Sequence, residues 1–259
     1  MTPQNEINVL SLFNGLGGIG LALHELGIKA KIYSSEIDKY ANKVSNALFN
    51  NQVNLGCVTK VSYRDGILFS ENTANKIDVQ LICFGSPCQG FSIAGNKLNF
   101  ADPRSKLFFE ALRILREIQA ENPNVIFIME NVNSMDKAVK NIISKELGVA
   151  PIMINSNLVS AQNRERLYWT NICTKEGFFY KESAIKQPID RRIFLKDILD
   201  KEVDEKYFLS DKMINALKKT HGTKQTSMPT EFLEDFESSK SSCLTARMHK
   251  MGKQDTYIK

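Results

Sequence analysis

The chain has 259 residues, 42% of them hydrophobic, and a formal net charge of +5, so it can bury one large domain or one and a half and permits a polyanionic partner without demanding one. Five cysteines, odd in number and with no C-x-x-C pair, argue against a disulfide framework or a zinc site; no metal and a reducing, cytoplasmic compartment are expected. No apolar run approaches the roughly 18 residues of a membrane span, and Met1 to Glu6 lacks the basic and apolar regions of a signal peptide.

In chain order, Ile7 to Phe13 is a short apolar run ended by a glycine cluster, the pattern of a strand. Ile19 to Leu26 has helical spacing, and Gly27 stops it. Lys31 to Ser35 predicts a second strand, and Asp38 to Phe49 a second helix with Tyr40, Val44 and Leu48 on one face. Val79 to Phe84 predicts a third strand. Lys106 to Ala120 predicts a helix with Leu107, Phe108, Leu112, Leu115 and Ile118 on one stripe, and Val125 to Met129 a continuous apolar strand. Such alternation, with strands apolar on both faces, implies an α/β domain with a mainly parallel sheet. After Cys173 the chain turns polar and lysine-rich, which divides it into a main domain over 1–173 and a smaller irregular region over 174–242.

Gly15-Leu16-Gly17-Gly18-Ile19-Gly20 fits G-x-G-x-x-G between a strand and a helix, and Glu36 follows about twenty residues on, at the end of the second strand. Glycines let a ligand approach the backbone, and a carboxylate at that strand end can accept hydrogen bonds from both hydroxyls of a ribose. Dinucleotide enzymes and S-adenosylmethionine enzymes share the pattern, so it points to an adenosine cofactor of either kind.

Gly85-Ser86-Pro87-Cys88-Gln89-Gly90-Phe91-Ser92 ends the third strand. In an open α/β sheet, ligands bind beyond the carboxyl ends of strands, which places Cys88 and the glycine cluster on one edge. A thiol restrained by Pro87 and exposed by Gly90 is a candidate nucleophile, whereas Cys57, Cys83, Cys173 and Cys243 read as small buried residues. Glu130-Asn131-Val132 follows the apolar strand. A carboxylate there is expected to be partly desolvated and so able to hold and donate a proton; a helix-capping Glu-Asn pair is the competing reading. In Gln162-Asn163-Arg164-Glu165-Arg166, alternate residues of a strand would turn Gln162, Arg164 and Arg166 to one face, where two guanidiniums suit an anion or a carbonyl oxygen. An exposed charged edge strand is the plainer alternative.

Taken in order, F-N-G-L-G-G, S-E-I-D, G-S-P-C-Q-G-F-S, D-P-R-S-K-L-F-F-E, E-N-V and Q-N-R-E-R-L-Y-W resemble the C5 cytosine DNA methyltransferases, from about Val9 to Cys173 and again near Cys243. The resemblance implies a Rossmann-like methyltransferase fold, S-adenosylmethionine as cofactor and double-stranded DNA as partner. It implies that Cys88 attacks C6 of a flipped-out cytosine, that Glu130 stabilises a proton at N3, that Arg166 contacts O2, and that Arg164 supports the pocket. Phe13, Asn14, Gly15, Leu16, Gly17 and Gly18 would meet the cofactor, with Glu36 on its ribose and Ile37 against adenine. Cys57 and Val58 would stand at the adenine edge, and Gly85, Pro87 and Leu107 at the methionine end. Gln89, Ser92, Arg104 and Gln162 are implied DNA contacts, 174–242 a target-recognition region, and 243–259 a return to the catalytic domain.

The sequence departs from the family in three places. Asn14 stands where Asp is frequent. Cys57 stands where an Asp would meet the adenine amino group, with Asp65 as a rival alignment. The family's last, Asn-containing block is not found before Lys259. These departures keep open an impaired DNA-binding paralogue, or one subunit of a split enzyme whose second chain supplies that block. An RNA cytosine methyltransferase would share most blocks, and a nicotinamide-dependent oxidoreductase would share only the glycine cluster and Glu36.

Overall fold

The computed structural model describes residues 6–87, 103–219, 231–233, 237–243 and 256–258. Its centre is a seven-stranded sheet in the order β3-β2-β1-β7-β8-β10-β9. These strands are β1 (Ile7–Leu12), β2 (Ala30–Ser35), β3 (Gln52–Asn54), β7 (Leu81–Phe84), β8 (Ile126–Val132), β9 (Ile152–Asn155) and β10 (Glu165–Thr170). The β3-β2-β1-β7-β8 part is parallel throughout, and β10 runs antiparallel to β8. A second, three-stranded antiparallel sheet, β4 (Ser62–Arg64), β5 (Ile67–Phe69) and β6 (Ala74–Lys76), had no signal in the sequence because each strand is only three residues long. The helices of the main body are α1 (Gly18–Glu25), α2 (Lys39–Leu48), α3 (Pro103–Glu121) and α4 (Lys137–Leu147). This is the expected α/β, Rossmann-like architecture. Among the described residues no helix is long and apolar enough to cross a membrane.

Alternating strand residues build two unequal cores. Leu10, Leu12, Ile82, Phe84, Phe127, Met129, Leu167 and Trp169 face α3, α4 and the small sheet, whose Phe108, Leu112, Leu115, Ile118, Val139, Ile143, Tyr63 and Leu68 close over them. The opposite face buries Val9, Leu81 and Cys83 against Leu23 of α1. Helix α2 forms where its spacing predicts, with Tyr40, Val44 and Leu48 on one face. That apolar face is exposed, and the helix buries Ser45 instead.

The chain divides into two compact units, one of Met1–Met153 with Arg166–Lys186, the other of Ile154–Glu165 with Gln187–Lys259. Composition had put the change at Cys173. The chain stays with the first unit to Lys186 because its backbone returns to the end of α4: Ala150 N donates to Lys181 O at 2.7 Å, and Ala184 N to Cys173 O at 2.6 Å. In the second unit, Ser241 N donates to Ala161 O at 2.8 Å and Asn163 N to Ser241 O at 2.9 Å. There too Glu231–Leu233 pairs in parallel with Thr256–Ile258.

Trp169, the sole tryptophan, is fully buried and donates from Nε1 to Ser144 Oγ of α4 at 2.9 Å. Ser144→Ala leaves that indole N–H buried without an acceptor, which costs about 1–3 kcal/mol. Urea unfolding followed by Trp169 fluorescence should show a midpoint lowered accordingly, with an unchanged denaturant slope.

Candidate active site

The parallel register aligns the carboxyl ends of four strands. Ser35 of β2 pairs with Leu12 of β1, Leu12 with Phe84 of β7, and Phe84 with Met129 of β8. One residue beyond that row stand Glu36, Phe13, Gly85 and Glu130. Strand order reverses between β1 and β7, which makes this edge the topological switch point where open α/β sheets bind ligands. With strands about 4.8 Å apart, Glu36 and Glu130 mark two ends of a site roughly 14 Å long.

At one end, the Glu36 carboxylate ties the glycine turn to the start of α2. Gly15 N donates to its Oε2 at 2.8 Å, and Ile37 N and Asp38 N donate to its Oε1 at 2.8 and 2.9 Å. Asp38 then caps α2 by accepting from Tyr40 N and Ala41 N. Phe13 leaves β1 with φ 58°, a conformation rare for an aromatic residue and concentrated at functional turns. Gly17 has φ 88°, and a Cβ there would lie 2.6 Å from Ser45 Oγ, so both backbone conformation and packing require glycine. Leu16 and Ile37 are 62% and 77% exposed at this edge, whereas Val58 is buried in the core and Leu107 packs against it. Gly18 opens α1 with free space around its Cα.

The choice between Cys57 and Asp65 is geometric. Ser35 Oγ donates to Gly56 O at 2.8 Å, which puts Cys57 beside the end of β2, on the carboxyl edge. Asp65 occupies the β4–β5 turn, where its N–H and that of Gly66 each donate to the Glu121 carboxylate at 2.7 Å. Glu121 ends α3 just before β8 begins, at the amino ends of the parallel strands. Cys57 thus stands by the carboxyl edge and Asp65 by the opposite one.

At the other end, Glu130 lies within β8, which runs on to Val132, so it is a strand residue rather than a helix cap. Arg166 Nε meets Glu130 Oε1 at 2.7 Å, their side chains being 17% and 35% exposed respectively. Glu130 thus sits beside a guanidinium rather than in purely apolar surroundings. A Cβ on Gly85 would come within 3.1 Å of Glu130 Oε2, so the bare glycine lets the carboxylate lie against the end of β7. Ser86 is buried and Pro87 partly so. Cys88, Gln89 and Ser92 lie outside the described residues, as does the side chain of Arg104. Cys83, five residues before Cys88 in sequence, is buried, and burial pushes its thiol up to about 12. It stays protonated and unreactive at neutral pH.

The expectation that Gln162, Arg164 and Arg166 share one strand face is corrected. β10 begins at Glu165, so of the three only Arg166 belongs to it. Gln162 bridges to Ser241, and Arg164 Nη1 donates to Cys243 Sγ at 3.0 Å, both within the second unit.

The sequence profile of the C-5 cytosine-specific DNA methylases matches residues 7–259. The chain belongs to this family. It is 31% identical over 262 residues to the type II methyltransferase M1.ScrFI of Lactococcus lactis subsp. cremoris, an alignment covering 96% of this chain and 63% of that protein. It is 32% identical to M.HpaII of Haemophilus parainfluenzae, covering 90% and 65%, and 31% identical to M.HhaI of Haemophilus parahaemolyticus, covering 76% and 59%. The chain therefore spans less than two thirds of the length of these relatives. The fold is that of the S. pombe Dnmt2 methyltransferase, with a TM-score of 0.68 at 21% identity over 97% of this chain and 74% of that one.

Family membership leaves the departure at Asn14 to be explained, and its side chain explains it. Asn14 is 8% exposed and points into the protein. Ser11 Oγ donates to its Oδ1 at 2.7 Å, its Nδ2 donates to Ser45 Oγ at 3.0 Å, and Ser45 Oγ donates to Gln52 Oε1 at 2.8 Å. The Ser45 proton is committed to Gln52, so residue 14 must donate as well as accept, which an ionised Asp cannot do. Asn14 can thus offer the cleft only its backbone. The sequence held no sign of Ser11, Ser45 or Gln52 as its partners, since small polar residues carry no periodic signal. Asn14→Asp buries a charge beside an oxygen that no longer receives a proton. It should lower stability by about 2–4 kcal/mol at neutral pH, seen as a lower Tm, and Ser45→Ala in the same background should recover part of the loss.

Proposed function

We propose that this chain methylates C5 of cytosine in double-stranded DNA, using S-adenosylmethionine. The observation that carries the reading is the Glu130–Arg166 pair on the carboxyl edge, packed against Gly85 three residues before Cys88. That edge carries a carboxylate and a cation, and in this reading the nucleophile is Cys88, which follows Gly85 by three residues in the chain.

In this reading the target cytosine swings out of the duplex, and the Cys88 thiolate forms a bond to C6. Electron density moves onto the ring. Arg166 holds O2, and Glu130 stabilises the proton at N3, so the arriving base replaces each group's contact with the other. Loss of the C5 proton after transfer then expels Cys88 and restores the aromatic ring. Residues at the glycine end fit the cofactor. Glu36 has accepted three N–H bonds of the roughly four a carboxylate can take and is only partly buried, so it has room for a ribose hydroxyl, while the bare Leu16 and Ile37 suit an adenine face. Phe13, Gly15, Gly17 and Gly18 would offer backbone there, Cys57 the adenine edge, and Gly85, Pro87 and Leu107 the methionine end. When bound, S-adenosylmethionine supplies the methyl group. Arg164 supports the flipped nucleotide, Gln89, Ser92, Arg104 and Gln162 contact DNA, and 174–242 reads the target. The compartment is the cytoplasm.

Leu21 of α1 and Ile126 of β8 are exposed at 52% and 41%, and Ile128 is only partly buried. Apolar cover from additional polypeptide, in the same chain or a second one, fits these residues. Undiminished methylation by a Leu21→Asp, Ile126→Asp double variant would refute such a covering segment.

Cys88→Ala should abolish transfer of label from S-adenosylmethionine to duplex DNA, and Glu130→Gln should lower kcat by about 10²–10⁴-fold. DNA carrying 5-fluorocytosine should trap the wild type covalently, with the adduct mapping to Cys88 and not to Cys83. Tight DNA binding without transfer would mean a family member that has lost its chemistry.

A further inference from the structure

Consecutive residues of β8 hold consecutive residues of the segment that leads to Cys88. Glu130 presses its carboxylate against Gly85, 3.1 Å from where a Cβ would stand. Asn131, whose side chain leaves the strand on the other face, is 2% exposed and donates from Nδ2 to Ser86 O at 3.2 Å. Its Oδ1 accepts from Val132 N at 2.9 Å, which fixes the amide orientation so that the donor end points at Ser86. Ser86 is itself 4% exposed, and its hydroxyl has no hydrogen-bond partner among the described residues. The segment is therefore held by its backbone carbonyl, not by its own side chain. A buried amide that spends both ends on backbone groups contributes no chemistry of its own; it sets a distance.

We propose that Asn131 is a positioning residue that fixes Ser86, two residues before Cys88 in the chain, relative to Glu130. This rests on the function proposed above. Glu130 and Asn131 are adjacent on one rigid strand, so a shift of either relative to the segment shifts both. The Nδ2–O bond thereby links where the nucleophile attaches to where the ring nitrogen is met. Catalytic geometry tolerates little displacement, and loss of about an ångström of alignment lowers the rate far more than it lowers binding. The sequence displayed Asn131 within E-N-V but gave no partner for it.

Two variants test the assignment. Asn131→Asp keeps the acceptor for Val132 N and removes the donor; Asn131→Ala removes both without burying a charge. The rate of covalent trapping on 5-fluorocytosine DNA, affinity for S-adenosylmethionine by calorimetry, and Tm are measured for both and for wild type. The expected result is a trapping rate and kcat lowered at least tenfold in both variants, with cofactor affinity and KM for DNA within about threefold of wild type. A merely structural amide would move cofactor affinity and KM for DNA together with rate, and that outcome overturns the inference, as does failure of both variants to fold. Trapping at the wild-type rate in a folded variant also overturns it while leaving the proposed reaction intact. A folded wild type that forms no adduct overturns the reaction itself, and this inference with it.

Discussion

The parallel register of β2, β1, β7 and β8 is the constraint on which the site depends. It puts Glu36, Phe13, Gly85 and Glu130 in one row beyond a shared line of paired residues. A slip of one residue in any strand would turn its terminal side chain to the opposite face of the sheet, because side chains alternate. Register is protected by burial on both faces. Leu12, Phe84 and Met129 sit in the larger core, and Leu81 and Cys83 in the smaller, so a slip would exchange two sets of packing at once. The core thus holds the positions of Glu36 and Glu130, which are no part of it.

Much of this was legible in the sequence. Strand ends are marked by sharp compositional breaks, and every residue in the row stands at or within one or two residues of such a break. The helices α1, α3 and the strands β1, β7 and β8 follow their apolar patterns to within a few residues at each end. What was illegible has physical reasons. Strands of three residues, such as β3 to β6, are too short to show alternation. The stripe of Tyr40, Val44 and Leu48 is a genuine helical pattern, but Ser45 is the residue that packs, because Gly17 approaches it too closely for anything larger. Arg164 and Arg166 are two positions apart, and the start of a strand between them cannot be read from charge alone.

The two compact units part at a different place from the change in composition, for a related reason. Composition registers the loss of an apolar core at Cys173, yet what retains residues up to Lys186 in the first unit is backbone hydrogen bonding to the end of α4. Backbone bonds carry no side-chain signature, so a polar segment held by them reads like a detached one.

Four side chains around the site divide by environment in a way that explains their chemistry. Glu36 and Glu130 are partly exposed carboxylates; Asn14 and Asn131 are buried amides. Burying a carboxylate is costly unless it is paired, and it can only accept; a buried amide costs less and can accept at one end while donating at the other. Asn14 uses both ends to join β1 to α2 beneath the glycine turn, and Asn131 uses both to join β8 to the end of β7. The charged groups are then free to stand where water or a ligand can reach them, on a frame whose geometry neutral groups have already set. On this view Asn at position 14 is no sign of a decaying site. Its side chain is among the parts that hold the row of Glu36, Phe13, Gly85 and Glu130 in shape.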